Sequence, residues 1–389
     1  MTMATSPGNR DDREPHKDTS APAARGTSSR RPSGRYRSSL RALATVGALV
    51  ALPSVLGCHE LDWAAPVDEA NLRVRAMAYL KQALAYPHSA TVRCQAIEAL
   101  VEDAPTGAEG WFIEALADDN PAVRFAACVA LGRIRHQPAK PMVAQRLGDE
   151  NHSVRAAAIF ALHRMGDTTH SGELAEMLLY HKDKEVRANA ALLFGLLGQP
   201  NAVKLLKRAQ KDPAHLVVWQ ALESRLLLGD PKALARVASQ VNSGREDIRI
   251  LAMVALGRGG EPKSAELLRY RLNQEDDHVE SRLAAARGLG LLGHQDGMKL
   301  AQDALKFNSP NSDPRAGTPE DQLMRVRSMA ALALGAMRAH STLRALETLM
   351  IDSQDPRVQI AAARAIIQIL SGNEWSSPTR RVKSSLSDR

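Results

Sequence analysis

Cysteine is scarce in this chain of 389 residues: Cys58, Cys94 and Cys128 are the only three. Their spacing matches no zinc-ligand pattern, and it does not pair Cys94 with Cys128. A bridge between those two is allowed in an oxidising compartment, but two buried structural thiols are the simpler expectation. No glycine-rich phosphate loop follows a strand, and no serine elbow occurs, so two common enzyme signatures are missing. No apolar run reaches the roughly 20 residues of a comfortable transmembrane helix. A basic excess is also missing from most of the chain. Residues 1–57 hold nine Lys or Arg against four Asp or Glu, which leaves 42 against 39 for the remainder. A net charge of +3 there gives no electrostatic footprint for nucleic acid.

What the chain does have is one helix written nine times. In the clearest copy, Val123, Ala127, Ala130, Leu131 and Ile134 form one stripe of an α-helix. Asn120 stands where a helix cap belongs, and Pro121 suits the first helical position. The stripe returns from Val92, Val154, Val186, Val217, Ile248, Ser281, Val326 and Val358. The residue after the leading one is Arg93, Arg124, Arg155, Arg187, Val218, Arg249, Arg282, Arg327 and Gln359. Successive intervals are 31, 31, 32, 31, 31, 33, 45 and 32 residues, so a single junction is irregular. Four positions after the leading residue there is always alanine: Ala96, Ala127, Ala158, Ala190, Ala221, Ala252, Ala285, Ala330 and Ala362. An invariably small residue on a buried stripe predicts that another helix packs close against it.

Along the chain, residues 1–34 lack apolar periodicity and read as a disordered tail. Residues 35–57 read as an export signal, with basic residues from Arg35 to Arg41 and an uncharged apolar run from Ala42 to Gly57. An uncleaved anchor, a start of translation near Arg35 and a weak twin-arginine signal at Arg30–Arg31 are the alternatives there. Residues 58–67 form a linker, 68–370 the repeat domain and 371–389 a second tail. Between the leading helices lie shorter amphipathic ones, such as Lys140–Leu147, Glu173–Tyr180 and Leu343–Met350. The irregular junction, Phe307–Asp321, is about 14 residues longer than the others and carries three prolines, so it is expected to be a loop. Such an insertion is either a tolerated surface excursion or part of a binding face.

The stretch Asn120–Gly132, with partial copies at Asn151–Leu162 and Asp355–Ile366, resembles the short bacterial HEAT repeat, the phycobilisome-lyase HEAT-like type. The resemblance covers roughly 68–370. It implies an all-α, right-handed α-α superhelix of about nine two-helix repeats, with the second helix of each repeat lining the concave side. It also implies a scaffold or adaptor more often than a reaction. Val55-Leu56-Gly57-Cys58 resembles the lipobox of bacterial lipoproteins, which implies a lipid on Cys58 and a membrane-associated, exported protein. Some HEAT-repeat proteins are enzymes. Deoxyhypusine hydroxylase, for one, holds iron through His-Glu pairs on repeat helices. Here the sole His-Glu dipeptide is His59-Glu60, outside every repeat, and His163, His170 and His181 make no i, i+4 ligand pair. No catalytic residue, metal or cofactor is therefore expected. A metal- or redox-dependent enzyme of the deoxyhypusine hydroxylase or bilin lyase kind is the alternative.

Two sets of side chains carry the functional expectation. Phe125, Val129, Phe160 and Leu251 fall two, three or six places after a leading residue, beside the stripe, and are expected to meet a protein partner. The arginine ladder (Arg93, Arg124, Arg155, Arg187, Arg249, Arg282 and Arg327) is expected to be structural. Its candidate partners are the loop carboxylates Asp118, Asp149, Asp183 and Asp276. The partner is thus another protein, reached from a lipid-anchored membrane position, with neither nucleic acid nor a small-molecule substrate involved.

Overall fold

The computed structural model describes residues 67–103, 106–275, 277–310 and 318–371. The expected tails and export signal, with Cys58 and Asp276, fall on residues 1–66, 276 and 372–389, outside the described residues. The described residues are helical throughout, with no strand among them. They form an α-solenoid. The leading helices are α2 (Ala90–Asp103), α4 (Pro121–Arg133), α6 (His152–Arg164), α8 (Lys184–Leu197), α10 (His215–Leu227), α12 (Glu246–Gly259), α14 (Val279–Leu291), α16 (Pro319–Met337) and α18 (Pro356–Leu370). Each is preceded by a partner: α1 (Glu69–Leu84), α3 (Glu109–Ala115), α5 (Lys140–Gln145), α7 (Ser171–Tyr180), α9 (Ala202–Ala209), α11 (Pro231–Gln240), α13 (Ser264–Leu272), α15 (Met298–Ala304) and α17 (Leu343–Asp352).

Local chemistry starts these helices where the sequence indicates. The side chain of Asn120 accepts from the Ala122 N–H at 2.9 Å, and those of Asn151, Asp183 and Asp355 cap α6, α8 and α18 alike. The cap satisfies N–H groups that the first turn leaves without partners. The irregular junction differs from expectation: Thr318 caps α16, so Pro319, Glu320 and Asp321 are helical rather than loop.

Each leading helix packs on the next, from α2 to α18, whereas successive partner helices barely touch. In a curved double layer, the closely spaced layer is the inner one. The leading helices are therefore inner, which reverses the expectation that the following helices line the concave side. Burial agrees: ten consecutive residues of α4, Val123–Gly132, are buried, against two residues of α7. All nine alanines of the stripe are 0% exposed. The row also returns to its start, because α18 packs against both α1 and α2. Across that seam Arg364 pairs with Glu102, Arg75 pairs with Glu347, and His340 Nδ1 lies 3.5 Å from Glu69 Oε1.

The tightest approach between inner helices is made by glycine, nine places after the leading residue. A Cβ on Gly132 would lie 2.7 Å from Ala161 Cα, one on Gly257 2.6 Å from Gly288 Cα, and one on Gly335 2.8 Å from Ala365 Cα. Those distances are closer than real Cβ contacts come, so the glycines set the spacing of the layer. No helix among the described residues is long and apolar enough to cross a membrane.

Candidate functional site

The arginine ladder binds loops to helices. Arg93 donates to both Asp118 oxygens at 2.8 Å, Arg124 to Asp149 at 2.9 and 2.8 Å, and Arg187 to Asp212 at 2.6 and 2.9 Å. Each also donates to a carbonyl of the loop before its own helix: Tyr86, Asp118 and His181 respectively. Such planar two-bond contacts are geometry that lysine cannot reproduce. Burial alone would raise the Asp149 carboxyl, but the hydrogen bond from Arg124 and the N–H of Asn151 hold it below the usual aspartate range. For Asp212 the Arg187 hydrogen bond is the largest influence, and it too is lowered.

The ladder changes toward the far end. Arg249 reaches Asp277 through one bond of 3.1 Å, while Arg282 and Arg327 donate to the carbonyls of Leu272 and Phe307, each at 3.0 Å. Arg155 differs again. The place taken by Asp118, Asp149 and Asp212 in other loops, two residues before the helix cap, holds His181. Its Nδ1 accepts from the Asp183 N–H at 3.1 Å, so Nε2 carries the proton and faces His152 Nδ1 at 3.0 Å. Asp183, an expected partner of the ladder, caps α8 instead.

The residues expected beside the stripe sit differently from that expectation. Phe125 and Val129 are 2% exposed and Phe160 is 0% exposed, while Leu251 is half-buried. An inner helix has like neighbours on both flanks and a partner helix behind it, so positions beside the stripe point at the next helix. Phe160, for example, lies directly over Gly132 of α4. Phe125, Val129 and Phe160 are core residues and offer no contact surface. Cys94 and Cys128 are both free and buried, and burial pushes each thiol up to about 12.

One charged cluster lies inside the inner layer. Glu102 of α2 faces Arg364 of α18 and Arg133 of α4, the latter at 3.4 Å. Burial would raise its carboxyl, but Arg364, Arg133 and Arg258 hold it well below the usual range. Arg364 reaches Glu102 from the opposite end of the chain and Arg133 from the next inner helix, so the chemistry of the cluster is that of a seam.

A different arrangement occupies the start of α12, α14 and α16. Glu246 opens α12, His278 precedes α14, and Glu280 lies in its first turn. One donor atom from each of the three lies within 4.8 Å of the other two. His278 and Glu280 border an open cleft of about 340 Å³, lined also by Asp277, Val279, Phe307, Ser309 and Gln322. Phe307 and Ser309, at the start of the irregular junction, thus belong to its lining. Glu280 is 5% exposed. Its Oε1 accepts from Gln322 at 3.4 Å and lies 3.6 Å from Arg325, while Oε2 is buried and has no partner. Burial pushes the Glu246 carboxyl up, Glu280 pushes the same way, and His278 opposes both. Nothing in the periodicity marks this group, because its members come from two repeats. The signal lies in the exception: α14 alone has a polar leading residue, Ser281, directly after Glu280.

A profile of HEAT repeats matches residues 77–163 and 274–367, toward the two ends of the described solenoid. No curated protein matches the chain. Two solved structures are similar in outline. The complex of CpcE and CpcF of phycocyanin lyase from Nostoc sp. PCC7120 is 18% identical, with a TM-score of 0.37, over 73% of this chain and 98% of that one. Human deoxyhypusine hydroxylase in complex with glycerol is 20% identical, with a TM-score of 0.33, over 78% of this chain and 99% of that one.

Proposed function

We propose that this chain is a HEAT-repeat scaffold that binds another protein through its outer layer. The observation that carries this is the distribution of exposed apolar side chains. Val74, Tyr180, Tyr270 and Ile351 are 68, 71, 56 and 46% exposed, and all four belong to outer helices. The inner helices are packed on every flank and have little surface to offer. Tyrosine supplies large contact area at low entropic cost, which suits a docking face. A lipid on Cys58, at the end of the apolar run, would hold the scaffold on a membrane of the cell envelope without any spanning helix.

Photo-crosslinking amino acids at positions 180 and 270 test the docking face in intact cells. Discrete protein adducts from both positions, and none from position 110 on the exposed start of α3, are the expected result. Adducts from neither would overturn the outer-layer assignment. The tether is tested separately: Cys58→Ser should leave the membrane fraction or remain unprocessed, and unchanged fractionation and migration would remove it.

A further inference from the structure

The geometry points to a divalent metal site where α12 and α14 begin, beside the cleft: we propose that Glu246, His278 and Glu280 bind one first-row transition ion, such as Mn²⁺ or Zn²⁺. Two carboxylates and an imidazole form a mixed oxygen and nitrogen donor set that such ions accept. Their donor atoms already lie within 4.8 Å of one another. An ion at roughly 2.0–2.2 Å from each requires them within about 4.4 Å, which small side-chain rotations supply.

The buried oxygen is the observation that singles this cluster out. Gln322 and Arg325 both address Glu280 Oε1, and Oε2 is left buried without a hydrogen bond. A buried carboxylate oxygen without a partner is costly, and a cation at this point would satisfy it. The remaining acid nearby is already engaged: Asp277 accepts from Arg249 and Arg271. Glu246 opens α12 and Glu280 lies in the first turn of α14, so both carboxylates reach the cluster from helix starts. The cleft side is open, so an ion held by these three would keep coordination positions for water or an exogenous group, as in sites of the non-structural kind.

The test uses the full purified chain, stripped with a chelator and titrated calorimetrically with Mn²⁺ and, separately, Zn²⁺. One equivalent should bind. Loss of an outer-shell partner already weakens metal sites by roughly 10–100-fold, so Glu280→Gln and His278→Ala should each weaken binding by at least about tenfold. Glu280→Gln is nearly isosteric and should melt like the parent without metal, and half-buried Glu246→Gln repeats the result at a less enclosed position. His181→Ala removes the exposed His152–His181 pair, which lies elsewhere, and should change nothing. Absence of saturable binding, or binding that survives Glu280→Gln and Glu246→Gln but disappears in His181→Ala, would overturn the proposal.

Discussion

The stretch from α2 to α8 and the stretch from α12 to α16 use the same helix pattern to different ends. In the first, three ladder arginines each grip a loop aspartate through two bonds, so successive repeats are tied by charge as well as by packing. In the second, Arg249 has one such bond, and Arg282 and Arg327 rest on backbone carbonyls. Glu280 lines a cleft instead of joining the ladder, and Glu246 gathers with it and His278. A repeat can surrender a stabilising contact only where something else holds the layer together. The glycine approaches persist in both stretches, at Gly132 and at Gly257. Backbone packing is the common structure, and the charge pattern is where the two stretches diverge.

The largest expected difference comes from cutting the ladder in each stretch. Arg124 is 7% exposed and its partner Asp149 is 9% exposed. Arg124→Ala leaves the buried Asp149 carboxylate with only the Asn151 N–H and Arg146 at 3.8 Å, and should cost about 3 kcal/mol. Arg327→Ala removes hydrogen bonding to a carbonyl and should cost about 1 kcal/mol. Chemical denaturation of the two variants decides this, and equal losses would erase the distinction between the stretches.

Adding a methyl group sharpens the shared part. Gly132→Ala and Gly257→Ala both force a Cβ against backbone of the next inner helix, and each should cost about 1–3 kcal/mol. Gly172→Ala in outer helix α7 meets nothing within 4 Å and should stabilise by a few tenths of a kcal/mol, up to about 1. Thermal melting of all three gives the comparison. If Gly257→Ala were neutral, the later stretch would be loosely packed and the common backbone frame would fail there.

Much of this frame is legible in the residues. Val123, Ala127, Ala130 and Leu131 give α4 its buried stripe, and Asn120 and Pro121 its start. The ladder partners Asp118 and Asp149 stand in loops where arginine reach from the previous repeat finds them. Layer assignment is not legible, because an amphipathic period names a buried face without saying which side of a curve it takes. Phe125 and Phe160 are the consequence: beside the stripe in sequence, inside the core in space. The meeting of α18 with α1 and α2 depends on the accumulated turn of the whole row, which no local pattern encodes. His278 is silent for another reason, since its neighbours Glu246 and Glu280 are brought to it by folding across repeats.

Acid should separate the stretches next. Asp149 and Asp212 are held below the ordinary aspartate value by their arginines. A depressed carboxyl contributes stability that is complete above the unfolded value of about 3.9 and is lost as pH falls through the folded one. Asp212→Asn should therefore lower stability at pH 7 and flatten the decline below about pH 4. Glu246 carries the opposite shift, because burial and Glu280 raise it. Its stabilising influence runs the other way: Glu246→Gln should lose none of the acid decline and should slightly stabilise the metal-free protein at neutral pH. Denaturation curves at pH 7 and pH 3 distinguish the two variants.

The smallest effect concerns the one rung of the first stretch that lacks an acid. His181 occupies the aspartate position in the loop after α7, and Arg155 Nε is buried with no hydrogen-bond partner. His181→Asp would place a carboxylate where Asp149 and Asp212 stand relative to their arginines. It would also keep an acceptor for the Asp183 N–H and remove the imidazole that faces His152. The rung is only partly buried, so the gain should be modest, roughly 0.5 kcal/mol, and is expected as a rise in melting temperature of about 1–2 °C. The same substitution in an Arg155→Ala background isolates the pair from any other consequence of losing the histidine. A gain that appears only when Arg155 is present would complete the ladder. An equal gain in both backgrounds would mean that His181 is merely a poor loop residue, and that the rung at Arg155 was never part of the ladder.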